Sequence, residues 1–312
     1  MQAEQHKIEQ QPKHAENVIE CQNLSHRYGK RLIYKDLSFS VPRGRILGLL
    51  GKNGTGKTTT INILSGYLAP TAGCCTILGY DVRHMPHTMR RHIGLLIEGH
   101  VQYQFMNIEQ IERFYAAFYP NQWRRDAYYE LMRKLRVAPK QRISRMSCGQ
   151  RSQVALGLIL AQNPQLLVLD DFSLGLDPGY RRLFVDYLRE YARAEQRTVF
   201  LTSHIIQDME RLIDDCIIMD YGRILVQRPV RDLLSLTRSY TCPAPDRFDL
   251  KTLDNLNGIY HPELNRGTLE FTATIPLGQI ELLLKQRGLE IDALKSRKIN
   301  LEDAFIGLTG KY

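Results

Sequence analysis

The sequence predicts an α/β fold with a mostly parallel central sheet, an antiparallel β portion, a helical subdomain and a small C-terminal α+β appendage. Three observations support this prediction. Short apolar runs, typical of strands covered on both faces, alternate with segments of helical periodicity. A glycine-rich loop joins one such run to a helix. A proline-bearing linker at 240–246 separates these elements from a shorter α+β segment.

Each predicted element follows from its local pattern. Strands flanking a turn at 28–30 are expected at 18–23 and 37–41. Compact apolar runs predict the strands of the central sheet, at 45–50, 93–97, 166–169, 198–202 and 216–219. Apolar residues three and four apart predict helices, at 58–65, 108–136 with a stop at Pro120, 150–162 and 180–194. The appendage is predicted to hold a strand at 268–275 and an amphipathic helix at 280–286.

These elements divide the chain into three parts. The polar stretch 1–16, which lacks an apolar run, is expected to be a disordered leader. The main domain is predicted to span 17–236, with the helical subdomain at about 101–162, and a small accessory domain is predicted at 237–312.

Composition describes an ordinary globular protein, with 43% hydrophobic and 24% charged residues among 312. No apolar run of about 18 residues occurs, so the sequence predicts no membrane-spanning helix. Six cysteines are scattered without the C-x-x-C spacing of a zinc site or the pattern of a disulfide framework. A reducing cytosol fits this usage best.

The net charge is +9, and residues 123–151 carry nine basic against two acidic side chains. This basic patch fits anionic lipid head groups, nucleic acid or an acidic partner, and it fits a solvated helix face equally well.

Residues 51–58, Gly-Lys-Asn-Gly-Thr-Gly-Lys-Thr, match the full pattern G-x-x-x-x-G-K-[ST]. Its glycines let successive N–H groups point at one anion, and the positive end of the following helix faces the same point. Lys57 can reach the β- and γ-phosphates, while Thr58 can place its hydroxyl on Mg²⁺. The loop predicts a nucleoside triphosphate site.

Phosphoryl transfer to water also needs a metal ligand and a group that orients the water. Asp170 ends an apolar strand and is placed to hold Mg²⁺ opposite Thr58. Asp171 would polarise the attacking water, and His204 would hydrogen-bond the γ-phosphate or that water. Because ligands bind at the carboxyl ends of parallel strands, these side chains are expected to meet.

From about 18 to 236 these residues resemble the nucleotide-binding subunit of ATP-binding-cassette (ABC) proteins, with its motifs in the family's order. Residues 51–58 resemble Walker A, 146–150 resemble the LSGGQ signature, 166–171 resemble Walker B, 174–177 resemble the D-loop, and His204 resembles the switch histidine. The signature is the most specific of these.

The resemblance implies that two cassettes face head to tail, as a homodimer or a paired cassette, with two ATP and Mg²⁺ at their interface. Tyr28 would stack on adenine. The resemblance further implies a nucleotide-binding set of Asn53, Gly54, Gly56, Lys57, Thr58, Thr59, Ser147, Gly149 and Gln150, and a metal set of Thr58, Asp170 and Glu98.

Three residues depart from the family's usual pattern. Asp171 replaces the catalytic glutamate; the carboxylate is drawn back by more than about 1 Å, and such misplacement can cost about 10²-fold in rate. Glu98 replaces the Q-loop glutamine; it can still coordinate Mg²⁺ and assist catalysis, but it adds negative charge near the γ-phosphate. Cys148 replaces the first signature glycine. We expect ATP binding to be retained and hydrolysis to be slow.

The C-terminal stretch 300–310 resembles the ending of cassettes that serve ABC-2 type exporters. Such subunits dock on a separate transmembrane permease, which implies a peripheral location on the cytoplasmic face of the inner membrane. The docking segment would be 98–119, with Tyr103 and Phe105 as contacts, although Phe105 fits the core equally well.

Two alternatives remain at this point. One is a cassette acting on nucleic acid or ribosomes, motivated by the basic patch; the single Walker A and the short separation between Lys57 and Asp170 speak against its common forms, so no nucleic acid partner is expected. The other is a regulatory cassette that binds ATP with little or no hydrolysis, motivated by Asp171 and Glu98.

Overall fold

The computed structural model describes residues 16–97, 103–134, 136–172, 175–245, 247–254, 256 and 258–310. Most of the predicted leader and Glu98 lie outside these residues. The strands are β1 (Asn17–Tyr28), β2 (Arg31–Pro42), β3 (Ile46–Gly51), β4 (Ala72–Ile77), β5 (Tyr80–Asp81), β6 (Ile93–Leu96), β7 (Leu166–Leu169), β8 (Thr198–Thr202), β9 (Asp215–Asp220), β10 (Arg223–Pro229), β11 (Arg238–Pro243), β12 (Ile259–Asn265), β13 (Thr268–Ala273) and β14 (Lys295–Lys298). The helices are α1 (Lys57–Leu64), α2 (His87–Arg90), α3 (Ile108–Ala116), α4 (Arg125–Lys134), α5 (Cys148–Ala161), α6 (Pro178–Ala194), α7 (Ile206–Leu212), α8 (Val230–Leu236), α9 (Lys251–Asp254), α10 (Leu277–Lys285) and α11 (Leu301–Thr309).

The central sheet has six strands in the order β10-β9-β3-β8-β7-β6, and all its pairings are parallel except β10 with β9. Alternate side chains of each buried strand pack into two different apolar clusters. In β7, Leu167 and Leu169 join one cluster, whereas Leu166 and Val168 join the other. A continuous apolar run therefore serves a strand that is covered on both faces, as the sequence predicts.

The antiparallel portion is a second sheet in the order β2-β1-β4-β5. β1 and β2 each have 12 residues, longer than the predicted strands. Their pairing contains several register shifts, for instance between Cys21 and Leu24. Such bulges break the alternation of polar and apolar residues on which a sequence-based boundary depends.

The helical subdomain contains α3, α4 and α5. A capping box begins α3. The Asn107 side-chain oxygen accepts the Gln110 N–H, and the Gln110 side-chain oxygen accepts the Asn107 N–H. Of the 14 residues of α5, the ten from Ser152 to Ala161 are buried. This subdomain packs on the same face of the central sheet as α6.

The C-terminal unit is a third sheet in the order β12-β13-β11-β14, covered by α10 around its own apolar cluster. Its last helix, α11, does not contribute to that cluster. Leu301, Phe305 and Leu308 of α11 belong to the apolar cluster of the main domain. The unit is therefore fastened to the main domain through this helix. The described part of the chain contains no helix that is long and apolar enough to cross a membrane.

Candidate functional site

The glycine-rich loop leads from β3 into α1 as the sequence predicts. Gly54 and Gly56 have φ of 80° and 105°, in the left-handed region that favours glycine. A Cβ on Gly56 would approach the Tyr34 ring to 2.7 Å, and one on Gly51 would meet the Thr55 hydroxyl at 2.5 Å. The glycines are thus required both by backbone conformation and by close packing.

Lys57 is buried inside this loop. Its ammonium donates to the backbone carbonyls of Gly51 at 2.6 Å and Lys52 at 3.0 Å. Burial lowers the pKa of Lys57, and the negative charges of Asp170 and Asp171 oppose that shift. The cation is therefore held beside the loop and partly removed from water, which strengthens its attraction to a phosphate.

Asp170 and Thr202 lie at the ends of the neighbouring strands β7 and β8. The Thr202 hydroxyl donates to Asp170 Oδ1 at 2.6 Å. Burial raises the pKa of Asp170, the Thr202 hydrogen bond lowers it, Asp171 raises it, and a hydrogen bond from Thr58 and the charge of Lys57 lower it. The predicted metal residues Thr58 and Asp170 thus lie within hydrogen-bonding reach of each other.

This pair suits Mg²⁺, because a hydroxyl and a carboxylate are the oxygen ligands that the ion prefers. Among the described residues, no group of three or more His, Cys, Asp or Glu side chains could hold a metal ion. Among the described residues, Thr58 and Asp170 leave the remaining coordination positions of such an ion to phosphate and water, and the third predicted ligand, Glu98, lies outside the described residues.

Asp171 and His204 form the second predicted pair. Asp171 is buried, with a φ of 46° that is unusual outside glycine. Its Oδ1 accepts the His204 backbone N–H at 3.2 Å, and its Oδ2 lies 3.1 Å from His204 Nε2 without forming a hydrogen bond. The Asp171 N–H donates to the Thr202 hydroxyl at 3.0 Å. The carboxylate and imidazole thus lie close together beside the loop.

These residues line one open cleft of about 370 Å³. The predicted residues Tyr28, Asn53, Gly54, Gly56, Lys57, Thr58, Thr59, Asp170, Asp171 and His204 all contribute to its lining. Tyr28 is half exposed and is packed edge-on against His26 at 4.7 Å. Arg31, Ile33 and Thr202 also line the cleft, and the sequence analysis did not identify them. Ser203, which directly follows the predicted strand 198–202, lines the cleft as well. For Thr202 a signal existed, since it ends a buried parallel strand.

The signature residues lie elsewhere. Ser147 caps α5: its hydroxyl accepts the Gln150 N–H at 3.1 Å, and Gln150 Oε1 accepts the Ser147 N–H at 3.1 Å. Ser147 and Cys148 are exposed, and Gly149 packs near Leu176. Among the described residues that line the cleft, none belongs to 146–150. The N-terminus of α5 is therefore exposed and does not line the cleft of the chain's own phosphate loop, and its Ser147 and Gln150 N–H groups are held by the capping box.

Asp177 begins the next helix, α6. Its carboxylate accepts the N–H groups of Gly179 at 3.0 Å and Tyr180 at 3.1 Å, and Pro178 occupies the first helical position. The C-terminal half of the predicted D-loop is thus a helix cap. Glu98, the predicted Q-loop residue, lies outside the described residues.

The basic patch is exposed and partly neutralised. Arg124 pairs with Glu195, and Lys134 lies 3.1 Å from Glu130. The Arg125 guanidinium lies 3.6 Å from the buried Glu112. The two exposed pairs contribute little to stability, and all three pairs leave less unpaired positive charge on the patch than the sequence count indicates.

Comparison with known proteins identifies the family. Residues 34–173 match the family profile described as ABC transporter. The chain is 31% identical over 302 residues to Nod factor export ATP-binding protein I of Rhizobium etli, covering 94% of each protein. It is 28% identical over 308 residues to the uncharacterized ABC transporter ATP-binding protein YhcH of Bacillus subtilis, covering 94% of this chain and 96% of the relative.

A solved structure of the ATP-binding subunit of an ABC transporter superimposes with a TM-score of 0.61 at 28% identity, covering 70% of this chain and 92% of that one. The predicted fold class is thereby confirmed. Since the relatives are matched along nearly their whole length and the loop, the carboxylates and the histidine converge on one cleft, the chain belongs to the ATP-binding subunits of ABC transporters.

Proposed function

We propose that this ATP-binding subunit powers export. Two copies, or this chain and a paired cassette, close head to tail around two ATP molecules. Hydrolysis reopens them, and separate transmembrane subunits use the motion to move a substrate outward. The names of the relatives support export, because several are Nod factor export proteins.

The observation that carries this proposal is that the phosphate-loop cleft and the signature residues at the N-terminus of α5 lie apart in one copy of the chain. Lys57, Asp170 and His204 converge on one cleft, whereas Ser147 and the exposed N-terminus of α5 face solvent elsewhere. A helix N-terminus stabilises negative charge. The α5 N-terminus of one copy can therefore bind the γ-phosphate held in the cleft of the other, which a single copy cannot do.

Within the cleft, each side chain has a distinct role. Lys57 and the loop N–H groups bind the β- and γ-phosphates, and Tyr28 packs on the adenine. Thr58 and Asp170 would hold Mg²⁺, which when bound neutralises charge on the β- and γ-phosphate oxygens. Thr202 orients the Asp170 carboxylate through its hydroxyl hydrogen bond and holds the backbone N–H of Asp171.

Asp171 and His204 orient the attacking water. The Asp171 carboxylate is shorter than glutamate, and its Oδ1 is already engaged by the His204 N–H. Oδ2, which is buried beside the imidazole without a hydrogen-bond partner, is the remaining oxygen that would polarise the water. Turnover is therefore slow and the ATP-bound dimer long-lived, since displacement of about 1 Å can cost about 10²-fold in rate.

The docking surface for the transmembrane subunit lies at the start of the helical subdomain. Phe105 is 70% exposed and Tyr103 is 46% exposed, so Phe105 does not enter the core. Large exposed aromatic side chains are typical of protein interfaces. Docking there places the subunit peripherally on the cytoplasmic face of the inner membrane.

Co-purification tests this function. A tagged chain is isolated from a detergent extract of membranes, and its ATPase activity is compared with that of Lys57→Ala. Export predicts a co-purifying protein with several hydrophobic spans and an activity that Lys57→Ala abolishes. Phe105→Ser should reduce co-purification, while a matched exposed aromatic, Tyr67→Ser, should not.

Other results would point to the alternatives. Nucleic acid that co-purifies and stimulates ATPase activity would favour the second class of cassette. A complex that binds ATP with no activity above Lys57→Ala would favour a regulatory cassette.

A further inference from the structure

The last helix, α11, contacts both elements that flank the phosphate site. At its C-terminal end, the Thr309 carbonyl accepts a hydrogen bond of 2.7 Å from Lys52 Nζ. Lys52 is the second residue of the glycine-rich loop. At its N-terminal end, the Leu301 N–H donates to Glu210 Oε2 of α7 at 2.7 Å.

The contact at Thr309 has a clear physical basis. The last carbonyls of a helix lack partners within the helix and carry the negative end of its dipole. An ammonium group can donate a hydrogen bond to such a carbonyl, and its positive charge is attracted to the negative end of the dipole. The contact is partly buried, so solvent screens it less than a surface pair.

Lys52 connects this helix end to Lys57. The Lys52 carbonyl accepts hydrogen bonds from Lys57 Nζ at 3.0 Å and from the Thr55 hydroxyl at 2.8 Å. The side chain of Lys52 is thus held by α11, while its backbone holds the lysine that binds phosphate. A displacement of Lys52 would move the carbonyl that positions Lys57.

A second connection leads to the histidine. Gln207 Nε2 donates to Glu302 Oε2 at 2.9 Å, beside the contact of Glu210 with Leu301. Gln207 and Glu210 lie on α7, which begins two residues after His204. The apolar side chains of α11 anchor the helix in the main core, so it is a rigid support for both elements.

We propose that α11 is a positioning element of the ATP site, acting through Lys52 on the phosphate loop and through α7 on the segment that carries His204. Because α11 also packs on β12 and β13, it ties the C-terminal unit to the phosphate loop. The proposal rests on ATP binding by the family and is independent of export.

Two variants of the full-length chain test it. Lys52→Met removes the ammonium and keeps the length of the side chain. Glu210→Ala combined with Glu302→Ala releases the start of α11 without touching the loop. Lys35→Met, at a lysine 74% exposed on β2, is the matched control. The measurements are KM and kcat for ATP, and hydrogen exchange of the amides at 52–58 and in β7.

We expect Lys52→Met to raise KM about twofold to fivefold, the fold-change that corresponds to a cation at a helix C-terminus, with a smaller change in kcat. The double glutamate variant should raise KM in the same direction. Exchange at 52–58 should rise while β7 stays protected. Lys35→Met should change neither quantity. If the double glutamate variant also exposes β7, Gln207→Ala, which removes only the bond to Glu302, takes its place and must show the same local increase.

A different pattern would overturn the proposal. If Lys52→Met raises KM while release of α11 leaves KM and loop exchange unchanged, Lys52 acts on the nucleotide directly.

Discussion

The Thr202 hydroxyl donates a 2.6 Å hydrogen bond to Asp170 across the ends of two neighbouring parallel strands. The same oxygen accepts the Asp171 N–H at 3.0 Å. Replacing Thr202 by Val leaves a buried carboxylate without this donor, which costs about 1.5–3 kcal/mol. We expect the free energy of unfolding in urea to fall by that amount and ATPase activity to fall with it.

Thr202→Ser is the control for this substitution, because it keeps the hydroxyl and removes one methyl group. Its activity should stay close to that of the wild type. Equal losses in the serine and valine variants would show that packing of the methyl group, and not the hydrogen bond, is what matters at this position.

Asp170 gives a pH dependence with a defined sign. Its pKa is raised by burial above the usual value of about 3.9. Between the usual pKa and the raised pKa of Asp170, the folded protein binds more protons than the unfolded chain. The free energy of unfolding therefore falls as pH rises through this interval. Asp170→Asn cannot ionise, so the nucleotide-free variant should gain stability relative to the wild type as pH rises from 4 to 7. Urea unfolding at pH 4 and pH 7 measures the difference in the free energy of unfolding between the two proteins. A difference that is the same at both pH values would contradict a raised pKa of Asp170.

The carboxylates and the loop could be predicted from sequence because each ends a buried parallel strand, and such ends meet at one edge of the sheet. Arg31 could not be predicted in this way. It follows a turn in the antiparallel sheet, and its place in the cleft depends on how that sheet is oriented against β3. Local pattern carries no information about such packing.

Asp171→Glu should accelerate hydrolysis. The added methylene moves the carboxylate toward the γ-phosphate, and about 1 Å of correct placement is worth up to about 10²-fold in rate. Single-turnover hydrolysis by the purified chain is the measurement, with Asp171→Asn as the inactive reference. A turnover in Asp171→Glu no higher than in the wild type would show that the shorter carboxylate does not limit the rate.

Cys148 reports on closure of the dimer. It is the exposed member of the six free cysteines, and it lies in the signature between Ser147 and Gly149. In the head-to-tail dimer this surface is covered, so ATP should slow alkylation of Cys148 by N-ethylmaleimide, measured by peptide mass spectrometry in Asp171→Asn. Cys74, which is partly exposed on β4, serves as the internal control. Equal rates for Cys148 with and without ATP would contradict closure over the signature.

The strands of the central sheet could be predicted from the sequence, whereas the attachment of α11 could not. β7 and β8 were predictable because every residue in them is buried. The attachment of α11 was not predictable, because Leu301, Phe305 and Leu308 mark an apolar face without showing which surface covers it. The 237–312 accessory domain therefore stays a prediction as an independent unit, while its last helix packs on the main domain.

Complementation between two inactive variants tests the central claim most directly. Lys57→Ala cannot hold the phosphates, and Ser147→Arg places a bulky cation at the α5 N-terminus. Head-to-tail assembly predicts that each variant alone stays monomeric with ATP, whereas their mixture forms a dimer that retains one ATP, because the loop of the Ser147→Arg copy meets the intact signature of the Lys57→Ala copy. Light scattering with bound-nucleotide analysis measures this. A mixture that behaves as the average of its two components would contradict an ATP site shared between two cassettes.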